Sequence, residues 1–464
     1  MKKLVYILLL YPAVLCAQPD SSDQPKMLFA LEGKVQAGLS LETCKTLAIR
    51  NNYSIKAAAS EVRQSEEMKR NAFTGYFPKI TAGFSVVRMS DYLIKSTIPQ
   101  MNLPVYDGNP ANLINPTQFA YFPGMTLNLV DYANFGYAMA LQPVFTGGRL
   151  YNGNELAKTG YEISLEKKSM AETEVSVRTE ELYWNILALN EKLVTLDSYR
   201  KLLDNLNHDV SVALKAGVVQ RTDLLKVQLR QNELEVNRLK LTDGIALSKK
   251  ALCQHIGVPY DSTLVLTDTI PVIIDPVKLF VNPDEAVKNR NEYKILEKAV
   301  KAEELQKKLI LGEYLPQVAV GVAGVYTDLM DKTNEMGIAF GTLDIPISDW
   351  WGGSYKLKQS KARIENANNK LNETSELLTL QTTQAQNELN QNYFSIGNAE
   401  KSVEEARENL KVTKDNYDAG VNSMSDLLEA QSVYQGTLNN LTEAKCNYQI
   451  AKAKYMQAIS TYPN

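Results

Sequence analysis

Few residues in this 464-residue chain have the types and spacing that chemistry requires. The two histidines, His208 and His255, stand alone with no His-Glu-x-x-His run, so they offer no metal-ligand set. No Gly-rich loop ends in Gly-Lys-Ser/Thr to cradle a phosphate, and no nucleophile–base constellation is legible. An enzyme or cofactor reading has nothing to stand on. What the chain does repeat is a turn that delivers carboxylates. Ala216-Gly217-Val218 leads to Thr222-Asp223-Leu224-Leu225, and Ala419-Gly420-Val421 leads at the same distance to Ser425-Asp426-Leu427-Leu428. Glycine at a helix end takes the left-handed conformation that residues with a Cβ avoid, and the Val after it is expected to supply the apolar contact of a Schellman ending. Thr222 or Ser425 is expected to cap the next helix, with Asp223 or Asp426 in its first turn near the positive dipole end. The plain reading of these acids is helix-start chemistry. The second copy adds Glu429 where the first has Lys226.

The elements around the two turns follow in chain order. Met1-Lys2-Lys3, an apolar run from Leu4 to Leu15 and Ala17 read as a secretory leader over 1–17. Cys16 follows Leu15 rather than a small residue, which disfavours a lipidated cysteine. Residues 18–39 are polar and unpatterned, an N-terminal arm. No later run is long enough for a transmembrane helix, so entry into a membrane would require a β-barrel. Cys44, Cys253 and Cys446 are too far apart and too few for a disulfide framework and read as buried thiols. A net charge of −3 with no basic cluster argues against nucleic-acid binding.

The first repeat is expected over 40–257. A helix from Ser40 to about Phe73 stops near Pro78. Period-two alternation then predicts strands with Ile80, Ala82, Phe84 and Val86 on one face, and later Phe135, Tyr137, Met139 and Leu141 on one face. This strand pair, 79–145, encloses an unpatterned loop at 91–131 and ends at Pro143. A Pro-free stretch from Gly148 to Gly217 gives about 100 Å of helix, and a returning helix carries Leu225, Leu229, Val236 and Leu239. Residues 258–281 link the halves. The second repeat, 282–464, opens on the capping box Asn282-Pro283-Asp284-Glu285 and runs to Leu315-Pro316. A strand pair over 316–347 places Val318, Val320, Val322 and Tyr326 on one face and Met336, Ile338 and Phe340 on one face. Pro346 and Gly352-Gly353 echo Pro143 and Gly147-Gly148, and a second long helical hairpin follows.

Four strands per chain do not close a barrel, which needs about eight or more. An open sheet in a membrane leaves unsatisfied edges, so several chains must share one barrel, and three would supply twelve strands. A barrel continued by long helices suggests a duct.

The chain resembles the TolC-like outer-membrane efflux proteins. The resemblance spans nearly all of it after the leader. It rests on Leu39-Ser40-Leu41-Glu42 with Asn51-Asn52, Tyr76-Phe77-Pro78, Tyr314-Leu315-Pro316, Pro143-Val144-Phe145-Thr146-Gly147-Gly148 and the two Ala-Gly-Val turns, above all Asp426-Leu427-Leu428-Glu429-Ala430-Gln431. It implies a homotrimer in the outer membrane of a Gram-negative bacterium: a twelve-stranded barrel in lipid, a periplasmic helical tunnel, and work with a periplasmic adaptor and an inner-membrane transporter. No cofactor is implied. The turns would form the periplasmic tip, with Asp426 and Glu429 as the constriction. Rings of such carboxylates would favour cations, and their crowding should raise some of their pKa values. Thr222, Asp223 and Tyr417 match participants of a polar latch. Asn422 stands where the family has arginine, and Arg221 is the nearest substitute. Rival readings are the duct of a type I protein secretion system and a coiled-coil protein that tethers the envelope.

Overall fold

The computed structural model describes residues 38–329 and 332–462; the expected leader, Cys16 and most of the arm lie outside the described residues. The described chain is mainly helical, with three antiparallel β arrangements. The single opening helix expected from Ser40 is two, α1 (Leu41–Asn51) and α2 (Tyr53–Thr74). Asn52 turns extended and its side chain accepts the Ser54 N–H at 2.8 Å, starting a fresh helix where it would otherwise sit in the interior of one. Beyond α2 come β1 (Lys79–Arg88), β2 (Ile94–Ile98), β3 (Met101–Val105), β4 (Gln118–Phe122), β5 (Met125–Leu129) and β6 (Tyr132–Thr146). The 91–131 segment is therefore no unpatterned loop: it folds as paired strands. The long helix α3 (Arg149–Lys215) and its return α4 (Arg221–Ile256) follow. The expected helix after residue 282 also divides, into α5 (Pro283–Asn289) and α6 (Asn291–Glu313), because Arg290 is extended. The chain ends with β7 (Gln317–Leu329), β8 (Lys332–Asp344), α7 (Trp350–Asp418) and α8 (Met424–Ala458). Gly352 and Gly353 lie inside the first turn of α7, whereas Gly147 and Gly148 have positive φ ahead of α3, so the expected echo is not structural.

The chain packs as two compact units. The first takes in the described residues up to Ala48, Thr179–Ile273 and Asn398–Cys446. Its core follows the 3-4 spacing of a helical seam: Leu196, Tyr199, Leu203 and Val210 of α3 meet Val227 and Leu234 of α4 and Met424 and Leu428 of α8. The stripe expected to pack α4, namely Leu225, Leu229, Val236 and Leu239, is exposed. Helix α4 thus carries two apolar stripes, and this chain buries the other one. In the same unit Leu39 bridges Leu266, and the buried Tyr183 hydroxyl donates to the Leu39 carbonyl at 3.1 Å while accepting the Asp268 N–H at 3.2 Å. Burial pushes that phenol up to about 12.

The second unit takes in Ile49–Arg178, Ile274–Gly397 and the described residues from Asn447. It holds a four-stranded antiparallel sheet in the order β1-β6-β7-β8. Each apolar set lies on one face of its own strand as expected, and register decides which faces of neighbouring strands coincide. Phe84 lies opposite Gly136, and Tyr137 opposite Gly83, so the apolar sets of β1 and β6 fall on opposite faces. Likewise Val322 pairs with Ala339 while Ile338 pairs with Ala323. Some rungs alternate large and small, as in Ile80–Ala140–Val322–Ala339, whereas Ala82–Ala138–Gly324–Gly337 is small throughout. The glycines make room for rings: a Cβ on Gly83 would stand 2.6 Å from the Tyr137 ring, and one on Gly321 the same distance from Phe340. Strand β6 does not end at Pro143 but passes it through a bulge before Phe145, the position where a strand tolerates a residue without an N–H. The linker is tied down by tyrosines of α8: Tyr455 accepts the Val281 N–H at 3.1 Å and donates to Leu279 at 3.2 Å, and Tyr448 donates to the Ile274 carbonyl.

Removing the Tyr183 hydroxyl leaves the Asp268 N–H without its bond. Tyr183→Phe is expected to cost about 1–3 kcal/mol and to lower the melting temperature in detergent. Equal melting of variant and wild type would count against this bridge.

Candidate functional site

The repeated turns both fold as expected in backbone. Gly217 has φ 77° and Gly420 has φ 75°. The Gly217 N–H donates to Leu214 at 3.0 Å and the Val218 N–H to Ala213 at 2.9 Å; Gly420 to Tyr417 at 2.9 Å and Val421 to Asn416 at 2.8 Å repeat the pattern. These are Schellman endings, but the valines do not supply the apolar contact: Val218 is 77% and Val421 74% exposed. In the first turn Val219, one residue later, packs on the core instead.

The caps also differ from expectation. Helix α4 starts after Gln220, which makes no side-chain capping bond, and Thr222 sits within the first turn, donating to the Gln220 side chain at 3.3 Å. Helix α8 starts two residues earlier than Ser425 would require. Ser423 caps it: its Oγ accepts the Asp426 N–H at 3.3 Å, while the Asp426 carboxylate accepts the Ser423 N–H at 2.8 Å and hydroxyl at 2.7 Å. This reciprocal box fixes the Asp426 side chain. The Ser423 hydroxyl, then its N–H, then the charge of Lys226 hold the Asp426 carboxyl below its usual range.

Lys226 is the residue that sequence reasoning missed. Its Nζ lies 3.5 Å from Asp223, and its field also reaches Asp426, so one cation serves the acids of both turns. Tyr417 packs against the core beside them; burial first, then the charge of Asp223 and of Asp418, push its phenol up. The structure thus gathers Asp223, Lys226, Tyr417 and Asp426. It leaves Thr222 bonded locally, and gives Asn422 a backbone bond to Asn416 at 3.3 Å. Glu429 is exposed one turn beyond Asp426, on the same helix face. The signal for Lys226 was present in the i, i+3 spacing from Asp223. The signal for Ser423 was its i, i+3 spacing from Asp426. Among the described residues no cluster of His, Cys, Asp or Glu is arranged to hold a metal ion.

The geometry has counterparts in known proteins. Residues 283–461 match the outer membrane efflux protein family. No curated protein matches the chain. Among solved structures, a membrane protein from Pseudomonas aeruginosa is similar at 15% identity and TM-score 0.72, with 90% of each chain covered. The Campylobacter jejuni CmeC outer membrane channel is similar at 14% identity and TM-score 0.71, covering 91% of this chain and 85% of that one. The open state of the Neisseria gonorrhoeae MtrE outer membrane channel matches at 14% identity and TM-score 0.68, covering 90% and 88%. Residues 283–461 thus match that family, and the chain as a whole has the fold of these channels.

Two measurements test the turn chemistry. Gly420→Ala forces a Cβ into the left-handed region and should cost about 1–2 kcal/mol, read as a lower melting temperature. Space is not the cause, because nothing lies within 4 Å of a Cβ there. Ser423→Ala should move the Asp426 titration up toward its ordinary value of 3.8, followed with labelled aspartate by NMR. Since the folded pKa is the lowered one, the stabilisation is present above the unfolded pKa and is lost as pH falls through the folded value. A titration that does not move would remove the box as its cause.

Proposed function

We propose that this chain is the outer-membrane exit duct of a tripartite efflux system, a homotrimer that passively conducts substrates delivered by an inner-membrane transporter through a periplasmic adaptor. The observation that carries the reading is the open four-stranded sheet. Its strands run 10, 15, 13 and 13 residues, enough to cross hydrocarbon, where a strand needs about 9–11. Both outer edges, on β1 and β8, lack a strand partner among the described residues. In lipid such edges must pair, and three copies give a closed twelve-stranded ring. The exposed second stripe of α4 supports the same assembly, offering a neighbouring copy a seam of its own. The strands then belong to a tandem repeat, each half contributing two strands and one long hairpin.

Both faces of the sheet carry apolar residues, and Glu335 and Asp328 mark one of them. Glu335, Asp328 and Asn134 share one face, with Asn134 donating to Asp328 at 3.0 Å; Met139, Tyr137, Met336 and Ile338 share the other. We assign the first to the bore and the second to lipid, with exposed Trp350, Trp351 and Tyr355 suited to a headgroup boundary. At the periplasmic tip Asp426 and Glu429 would form acidic rings, with Asp223, Lys226 and Tyr417 holding the closed state.

Purified protein in planar bilayers tests this. Asp426→Ala with Glu429→Ala should raise conductance and reduce cation preference; no conductance at any voltage, even in that variant, would sink the duct. Met139→Arg should weaken folding into lipid by about 2–4 kcal/mol, while Ala138→Arg on the opposite face is tolerated. The reverse ranking would invert the assignment of faces.

A further inference from the structure

The segment between β1 and β6 is more than a connection. Strand β2 pairs with β5, and β3 with β4, in one constant register from Ile94↔Leu129 to Val105↔Gln118. At about 3.4 Å per residue this ribbon is about 40 Å long. It grows directly from the sheet: the Met89 N–H donates to Asp131 and the Leu93 N–H to Val130, both at 2.9 Å, and Val130 holds a positive φ of 65° at the joint. Among the described residues no third strand joins it. A two-stranded ribbon is marginal in water on its own and needs a packing partner. Its lower half has one mainly apolar face, Ile94, Ile98, Met125, Leu127 and Leu129 with Ser96 among them, and one polar face, Lys95, Thr97, Thr126 and Asn128. Ile94, Met125 and Leu127 are exposed.

Charge narrows the choice of partner. From Tyr92 to Val130 the only charged residues are Lys95 and Asp107. Lys95 is paired with Asp91, and Asp107 accepts from Thr117 at 2.6 Å and Asn112 at 2.7 Å within the ribbon's outer turn. A surface made for phosphorylated lipid headgroups would present free cations, and this one does not. Geometry favours copies of the same chain. Twelve strands at about 4.8 Å spacing and about 40° tilt close a ring roughly 24 Å across. Ribbons about 40 Å long rising from that rim are longer than the mouth is wide.

We propose that the apolar faces of the ribbons pack against one another across the outer mouth, each ribbon's partner being the ribbon of a second copy of this chain. The inference rests on the shared barrel proposed above. Single cysteines test it in the full-length protein, since Cys44, Cys253 and Cys446 are buried. Leu127→Cys should cross-link between chains with a short bismaleimide and react at least ten-fold more slowly with an impermeant maleimide than Thr97→Cys, in detergent and in vesicles alike. Ile98→Cys against Thr126→Cys repeats the comparison should one variant assemble poorly. Equal labelling without cross-links, in material that light scattering shows to be three chains, overturns the ribbon contact and leaves the duct standing. Protection of Leu127→Cys in vesicles but not in detergent assigns the face to lipid and overturns it too. A single-chain mass would instead remove the shared barrel.

Discussion

Hydrocarbon offers no hydrogen bonds, and a strand edge placed in it must find another strand. In lipid that demand would fall hardest on the sheet β1-β6-β7-β8, whose two outer edges lack a strand partner among the described residues. Its faces are exposed as well, with Ile80, Phe84 and Val86 open on one side and Phe135, Tyr137 and Ile338 on the other. A sheet of this kind is stable neither in water nor alone in lipid. In the proposed assembly the chain is an incomplete object by construction, and its copies complete it.

The helices show the same incompleteness. Helices α3 and α7 are 67 and 69 residues long. Helix α4 buries Val227 and Leu234 within the chain and leaves a second stripe open. A helix with two seams fits a wall in which each helix has a neighbour on both sides. Near the turns, charge takes over from packing. Lys226 pairs with Asp223, and its charge also reaches Asp426 of the other hairpin. Exposed pairs of this kind contribute little individually.

Much of this was legible in the residues. The two left-handed glycines, the Pro-free helices, the strand-forming alternations and the turn acids are local features, and local sterics and hydrogen bonding set them. Other features were not legible, for definable reasons. The breaks at Asn52 and Arg290 interrupt stretches whose apolar pattern continues through them. The ribbon strands at 94–129 are punctuated by Pro99, Pro104 and Pro123, which masks their alternation. Ser423 and Ser425 are equally good caps by type, and only the start of α8 chooses between them.

The sequence by itself determined the long helices, the strands of the four-stranded sheet and the glycine turns, because φ preference and hydrophobic period act within a few residues of one another. Tertiary structure decided the pairings. Within one strand, period two tells which residues share a face, but which faces of neighbouring strands coincide depends on register, and a shift of one residue inverts it. That is why Phe84 and Tyr137 fall on opposite faces, each across a glycine. The same holds at the turns: that Lys226 of one hairpin serves Asp426 of the other is a matter of distance between segments remote in sequence, which no spacing rule contains.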